Sequence, residues 1–319
     1  MNVRLYVEPG VTYSWEDFLL RKPFYSIALD GIVAHKTERV AEFSKDKAVG
    51  PFANFDHHAG VDRLATRSTS QQVYMEINLG LFRTFQYDGI PTANLFVNDC
   101  DEDTCLATWL LMNHERVIDH AEPAINRLVN IEDLLDSTAG AYPLGDVKIR
   151  RQMAWIFEPY HEARFNGRLK ELNTGEMKTL IESVHSRIQA YTLGEGEWLG
   201  LEGQYEILLG GGAGWSLVRE RGPAARLAMY ADGIEAYVSC LGKQANAKFT
   251  YSVGRRSVWI NFPMKRIFDA LNKDDPEVNP TNYWGPLEIN ATIGGSPRKT
   301  GSGLSPAEVS DIINRLLVE

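Results

Sequence analysis

Two short apolar runs that each end in an aspartate constrain this chain most. Phe24-Tyr25-Ser26-Ile27-Ala28-Leu29 runs into Asp30, and Pro51-Phe52-Ala53-Asn54-Phe55 runs into Asp56. Runs of this length, rich in aromatic and branched residues, read as buried strands. A third, Ala93-Asn94-Leu95-Phe96-Val97, enters Asn98-Asp99. With helical patterns between them, such strands suit a parallel sheet with crossover helices. Ligands of these sheets bind beyond the carboxyl ends of the strands, where Asp30, Asp56 and Asp99 are expected.

The residues after Asp56 form a rarer pattern: His57-His58-Ala59-Gly60. Adjacent side chains of a strand point to opposite faces, so His57 and His58 can serve one site only at a bend. Ala59 and Gly60 favour one. Imidazole and carboxylate together suit a divalent transition metal. A second acidic cluster is Asp99-Cys100-Asp101-Glu102-Asp103. In an extended loop its alternating aspartates would converge on a hard cation. The competing reading is an acidic cap and first turn of the next helix, which the macrodipole favours without any ligand. Asp136, or Asp133, would complete the carboxylate shell or cap a turn.

Downstream, Ser68-Thr69-Ser70 opens a helix, and further helices are expected over 105–112, 121–130, 146–172 (interrupted at Pro159) and 174–191. Beyond a glycine-rich stretch the pattern changes to strands at 227–230, 234–241, 248–253 and 258–262. The last helix is marked by Ser305, Pro306 and Glu308, a capping box with proline at the first helical position. The fold class is therefore α/β: a mostly parallel sheet with flanking helices, joined by helices to a smaller α/β C-terminal domain. The expected boundaries are 1–145 for the metal-binding domain, 146–195 for the connecting helices and 205–319 for the second domain. In that domain Gly294-Gly295-Ser296-Pro297-Arg298-Lys299 combines glycines, which allow close backbone approach, with donors and positive charge suited to phosphate.

Composition narrows the function classes. Hydrophobic content of 44% and charged content of 24% are those of a globular protein. No apolar run is long enough for a membrane helix, and no secretory segment opens the chain, so a cytoplasmic protein is expected. Three cysteines without a spacing pattern argue against a disulfide framework. A net charge of -9 argues against a coat for long nucleic acid. From Tyr205 onward there are 13 Lys+Arg against 12 Asp+Glu, which leaves 20 against 30 before it. The negative charge thus lies with the candidate metal ligands.

Asp56-His57-His58 at a strand end, about 26 residues after an aspartate-ended strand, resembles the DHH phosphoesterase superfamily. Asp30 matches that family's lone second-motif aspartate. Asp99-Cys100-Asp101, with Asp103, is similar to its Asp-x-Asp motif, and Asp136 or Asp133 to its isolated fourth aspartate. Gly294-Gly295-Ser296 resembles the Gly-Gly-His motif of the second domain that accompanies it. Two features depart from the family: the Asp-x-Asp element comes after the DHH triplet instead of preceding it, and Ser296 stands where the histidine would be. The resemblance implies a divalent-metal (Mn²⁺) phosphoesterase with two ions, Mg²⁺ or Co²⁺ being alternatives. Its substrate would be small and phosphorylated, a nucleotide or short oligonucleotide. The implied ligands are Asp30, Asp56, His57, Asp99, Asp101, Asp103 and Asp136. His58, His57 and Asp99 would take part in catalysis, and Gly294, Gly295, Ser296, Arg298 and Lys299 would hold the substrate phosphate. Neither long duplex nucleic acid nor membrane is an expected partner, while a homodimer is compatible with the reading. The alternative is a catalytically inactive DHH-like protein that binds a nucleotide or partner.

Overall fold

Strand β2 is the axis of the first sheet because every one of its residues is buried. The computed structural model describes residues 2–45, 48–201, 203–243, 247–287 and 291–318. In chain order the first elements are β1 (Asn2–Val7), α1 (Trp15–Arg21), β2 (Ser26–Leu29), β3 (Glu38–Lys45), β4 (Ala48–Phe55), α2 (Thr69–Asn78), α3 (Leu81–Thr84), β5 (Gln86–Tyr87) and β6 (Ile90–Val97). Then come α4 (Glu102–Met112), α5 (Pro123–Ser137), α6 (Val147–Ile156), α7 (Glu158–Phe165) and α8 (Thr174–Thr192). The remainder is β7 (Tyr205–Ile207), β8 (Ser216–Glu220), α9 (Ala225–Ala231), β9 (Ala236–Lys243), β10 (Phe249–Arg255), α10 (Met264–Asp274), β11 (Ile293–Gly295) and α11 (Pro306–Val318). The chain is α/β.

Two compact units are formed. The first comprises Met1–Thr138, Trp155–Tyr160 and Leu172–Trp198; the second comprises Ala139–Ala154, His161–Glu171 and Leu199–Glu319. The segment 146–195 is thus divided between them.

In the first unit the strand order is β1-β6-β2-β4-β3, with β5 paired to β6. β1, β6, β2 and β4 run parallel, and β3 closes the far edge as an antiparallel partner of β4. The path from β4 to β6 carries α2 and α3 past β2. β4 and β6 therefore flank β2, and the carboxyl ends of all three lie side by side. The Asp99 segment thus comes after the DHH triplet in sequence yet lies one strand from Asp30. The sequence pattern did not reveal β3, whose burial alternates and which carries no aspartate signal.

Helix α4 has no polar stripe; Thr104 to Leu111 are all buried. α8 docks on it partly through His185, whose Nε2 donates to the Cys105 carbonyl at 3.1 Å and lies 2.9 Å from Thr108 Oγ1. Burial pushes the His185 pKa down to about 4 from 6.5. The unfolded chain therefore binds the proton between those values and the folded one does not. This contribution to stability is complete above pH 6.5 and is lost as the pH falls toward 4. The unfolding free energy should lose up to about 3 kcal/mol over that window from this group. The difference between wild type and His185→Gln, measured by urea titration from about pH 7 to about pH 4, should show the slope; equal slopes would refute it.

The second unit's sheet has the order β11-β10-β9-β8-β7 and is antiparallel except for β8 with β9. Two strand expectations fail there. Residues 227–230 belong to α9, where Ala225 and Met229, four apart, are buried on one face. Residues 258–262 form turns around Arg255, whose guanidinium donates to the carbonyls of Val258, Ile260 and Phe262. Those carbonyls are satisfied by a side chain and need no neighbouring strand. Tyr237, Tyr251 and Trp284 are core residues, whereas Trp259 is 90% exposed.

Candidate metal centre

Asp30 stands at the end of β2 with φ 53°, in the left-handed region, and Gly31 comes next at φ 81°. Aspartate tolerates that conformation better than most residues. The chain turns off the sheet there, and the Asp30 carboxylate is held by hydroxyls: Thr69 Oγ1 donates to Oδ1 at 3.1 Å and Thr104 Oγ1 to Oδ2 at 2.9 Å.

The bend that the two histidines require is made by Asp56. Its carboxylate accepts from the backbone N–H groups of His58 and Ala59, at 3.2 and 2.9 Å, and from His58 Nδ1 at 3.0 Å. An aspartate that bonds the backbone two and three residues on curls the chain locally. The two imidazoles then lie 4.4 Å apart, centre to centre. His57 is buried, and its Nε2 faces three carboxylates: Asp136 Oδ2 at 2.8 Å, Asp30 Oδ1 at 3.7 Å and Asp103 Oδ2 at 3.7 Å. Neither ring nitrogen of His57 meets hydrogen-bond geometry, nor does Asp136 Oδ2 despite its 2.8 Å distance. A protonated His57 pairs with Asp136 at this distance, and in its neutral form the same cluster of donor atoms has the spacing a shared cation requires. Two donors about 2.1 Å from one ion, at a right angle, lie roughly 3 Å apart.

Asp103 comes from the first turn of α4 and accepts from the N–H groups of Thr69 and Ser70 at 2.6 and 2.7 Å. These are orphan amides of α2, whose N-terminus favours negative charge. Asp133 accepts from Ser68 N and from Arg67. Asp136, three residues further along α5, turns to His57, and its Oδ1 accepts from Arg63 at 2.7 Å. Glu132, one turn before Asp136, is buried and accepts from Ser70 Oγ at 3.0 Å.

This crowding sets the electrostatics. Burial, then Asp101 and Asp103, raise the Asp30 carboxyl well above its usual range. Burial and Asp136 raise Asp103, and burial and Asp103 raise Glu132 strongly. Burial alone would raise Asp136 too, but Arg63 and His57 hold it low. Burial opposes protonation of His57, yet Asp136 outweighs it and raises that pKa. Burial would also raise Asp56, but His58 holds it low. Burial and mutual repulsion thus favour the protonated forms of Asp30, Asp103 and Glu132, and a divalent cation would favour the ionised ones.

Among the described residues two groups of donors are disposed to hold an ion: Asp30 with His57 and His58, and His57 with Asp103 and Asp136. Asp56, Asp99 and Asp101 belong to neither. Asp99 Oδ1 accepts from Cys100 N, and Asp101 caps α4 by accepting from Thr104 N. The expected alternation of Asp99, Asp101 and Asp103 is replaced by helical geometry, because the chain winds into α4 from Glu102. Only Asp103 of the three reaches His57. Sequence reasoning missed Arg63, Glu132, Thr69 and Thr104 as neighbours of the site. Glu132 had a signal, being four residues before Asp136 and so on the same helix face; Arg63, in a non-periodic loop, had none.

In the second unit the Gly294 segment is an edge strand. A Cβ on Gly294 would meet the Gly285 carbonyl oxygen at 2.3 Å, and one on Gly295 the Tyr251 oxygen at 2.7 Å, so close backbone packing requires both glycines. Ser296 was expected to face phosphate; it is buried, and its Oγ accepts from Tyr251 N at 3.1 Å. Arg298 and Lys299 are exposed. Lys170 donates to the Pro297 carbonyl at 2.9 Å, and burial together with Arg298 lowers its pKa to about 8. Among the described residues no helix is long and apolar enough to cross a membrane. No protein-family model, no curated protein and no solved structure matches the chain.

Proposed function

We propose that the first unit is a divalent-metal-dependent phosphoesterase that hydrolyses a phosphodiester or phosphoanhydride bond in a nucleotide or short oligonucleotide. The observation that carries this reading is His57, buried with its Nε2 2.8 Å from Asp136 and 3.7 Å from both Asp30 and Asp103. Three carboxylates and one imidazole favour Mn²⁺ over the softer zinc, with Mg²⁺ or Co²⁺ as substitutes. A bound ion would supply a water of lowered pKa and neutralise charge on the phosphoryl oxygens.

The chain's own residues provide the rest. Asp30, Asp103 and Asp136 would hold the cation, each fixed by hydroxyl, amide or guanidinium donors. Asp56 orients His58, which is one-third exposed while His57 is sealed. His58 is therefore the group able to exchange a proton with solvent or with the leaving oxygen.

The test is a hydrolysis screen with metal-stripped protein resupplied with Mn²⁺, spanning pyrophosphate, cyclic dinucleotides, dinucleotides and short single strands. Mn²⁺-dependent cleavage is expected, with Asp103→Asn lowering it by about 10³-fold or more, on the order of 4 kcal/mol of barrier. Cleavage that survives Asp103→Asn would refute the site. Tight nucleotide binding without turnover would favour a non-hydrolytic binding protein.

A further inference from the structure

We infer that this centre is built for a single divalent ion, and that the guanidinium of Arg63 supplies the second positive charge. The inference rests on the metal reading above and departs from the two ions that the family resemblance implies.

The first observation is the sharing of one atom. Both donor groups contain His57. The nitrogen that approaches Asp30, Asp103 and Asp136 is Nε2 in every case. One lone pair serves one ion, and Nε2 is the His57 atom that meets all three carboxylates, so an ion held there occupies a single position. Occupied there, His57 carries its remaining proton on Nδ1.

The second observation is that Asp56 and Asp101, unlike Asp30, Asp103 and Asp136, lie outside both groups of donors disposed to hold an ion. Asp56 has both oxygens committed to the turn it makes, Oδ1 to His58 and Oδ2 to Ala59 N. Asp101 caps α4 through Oδ1. Releasing either would uncap a helix or unmake the bend that brings the histidines together.

The third is Arg63 itself. Its Nη2 lies 2.7 Å from Asp136 Oδ1, while the other oxygen of that carboxylate faces His57. Its side chain is largely buried, and its Nε is sealed from solvent without an acceptor. Its charge acts on Asp136, Asp30, Asp103 and Asp101. Asp136 thus spans two cationic positions, one for the ion and one already filled by Arg63. A guanidinium in this place is permanently charged and presents planar donors suited to phosphoryl oxygens.

The experiment counts ions directly. Metal-stripped full-length protein is equilibrated with MnCl₂ and passed through a desalting column. Bound manganese is measured by elemental analysis, and the electron paramagnetic resonance spectrum is recorded. Wild type should retain one Mn²⁺ per chain and show the hyperfine pattern of an isolated ion without exchange coupling. Arg63→Met should still hold one uncoupled ion and bind it several-fold more tightly in a titration followed by the free-Mn²⁺ signal, because a neighbouring positive charge is gone; Arg63→Lys, which keeps the charge, should match wild type. Two coupled ions in wild type would overturn the inference, and that measurement stands even if Arg63→Met does not fold. A folded Arg63→Met whose Mn²⁺ affinity equals that of wild type would overturn the role of Arg63. No bound ion in wild type would overturn the metal centre itself, a result distinct from either of these.

Discussion

His57→Ala is expected to lower Mn²⁺ affinity by more than about 100-fold. Loss of a residue that merely orients a ligand typically costs roughly 10–100-fold, and His57 is the donor common to both ion-holding groups. Its Nε2 lies within 3.7 Å of Asp30, Asp103 and Asp136. The remaining oxygens would have to gather a cation across a void left by a buried ring. The effect is measurable without any substrate. An ion that binds only the folded state stabilises it by RT ln(1 + [L]/Kd), about 2.7 kcal/mol at a hundredfold excess over Kd. Mn²⁺ should therefore raise the melting temperature of wild type and leave that of His57→Ala nearly unchanged, with chelation reversing the wild-type shift. Equal shifts in the two proteins would place the ion elsewhere.

Glu220→Ala is expected to destabilise the second unit by about 3–5 kcal/mol, the cost of breaking a buried ion pair from one side. Glu220 ends β8 and is buried; its Oε2 accepts from Arg164 at 3.0 Å and lies 3.9 Å from Arg226 Nε. Burial alone would raise its pKa, but the two arginines hold it below the usual range. Removing the carboxylate takes this counter-ion from two largely buried guanidiniums, whose side-chain exposures are 16% and 17%. Adding Arg164→Met to Glu220→Ala should recover part of the loss, since the two changes act on one pair. Urea denaturation supplies the numbers. A loss below about 1 kcal/mol for Glu220→Ala would mean that water or backbone groups already satisfy the arginines. The pair's contribution should be complete above pH 4.5 and should fall as the pH drops through the lowered pKa of Glu220.

Local pattern carried much of this protein. The apolar runs before Asp30, Asp56 and Asp99 are strand signals because a strand buried on both faces has no polar alternation to hide it. Capping chemistry marked α2 and α11 for the same local reason: Ser68 and Ser305 satisfy amides of their own helices. A four-residue window misled at 227–230, where Leu-Ala-Met-Tyr is apolar in either structure and only the longer register of α9 shows one buried face. It misled again at 258–262, where a side chain outside the window decides: the Arg255 guanidinium takes the carbonyls that a neighbouring strand would have taken.

The sequence by itself marked Asp30, Asp56, His57, Asp99, Asp101, Asp103 and Asp136 or Asp133 as candidates, since acids and histidines at the ends of buried segments must find partners or protons. It could not say which of the aspartates near the three strand ends meet. Asp56, Asp101 and Asp133 are chemically identical to Asp30, Asp103 and Asp136, yet they make a turn, a cap and an arginine pair away from the His57 Nε2 that the other three face. The tertiary structure made that choice, because convergence of side chains depends on the order β6-β2-β4 and on the rotation of α4 and α5 against it. It also brought Arg63 to Asp136, a pairing 73 residues long that no periodicity encodes.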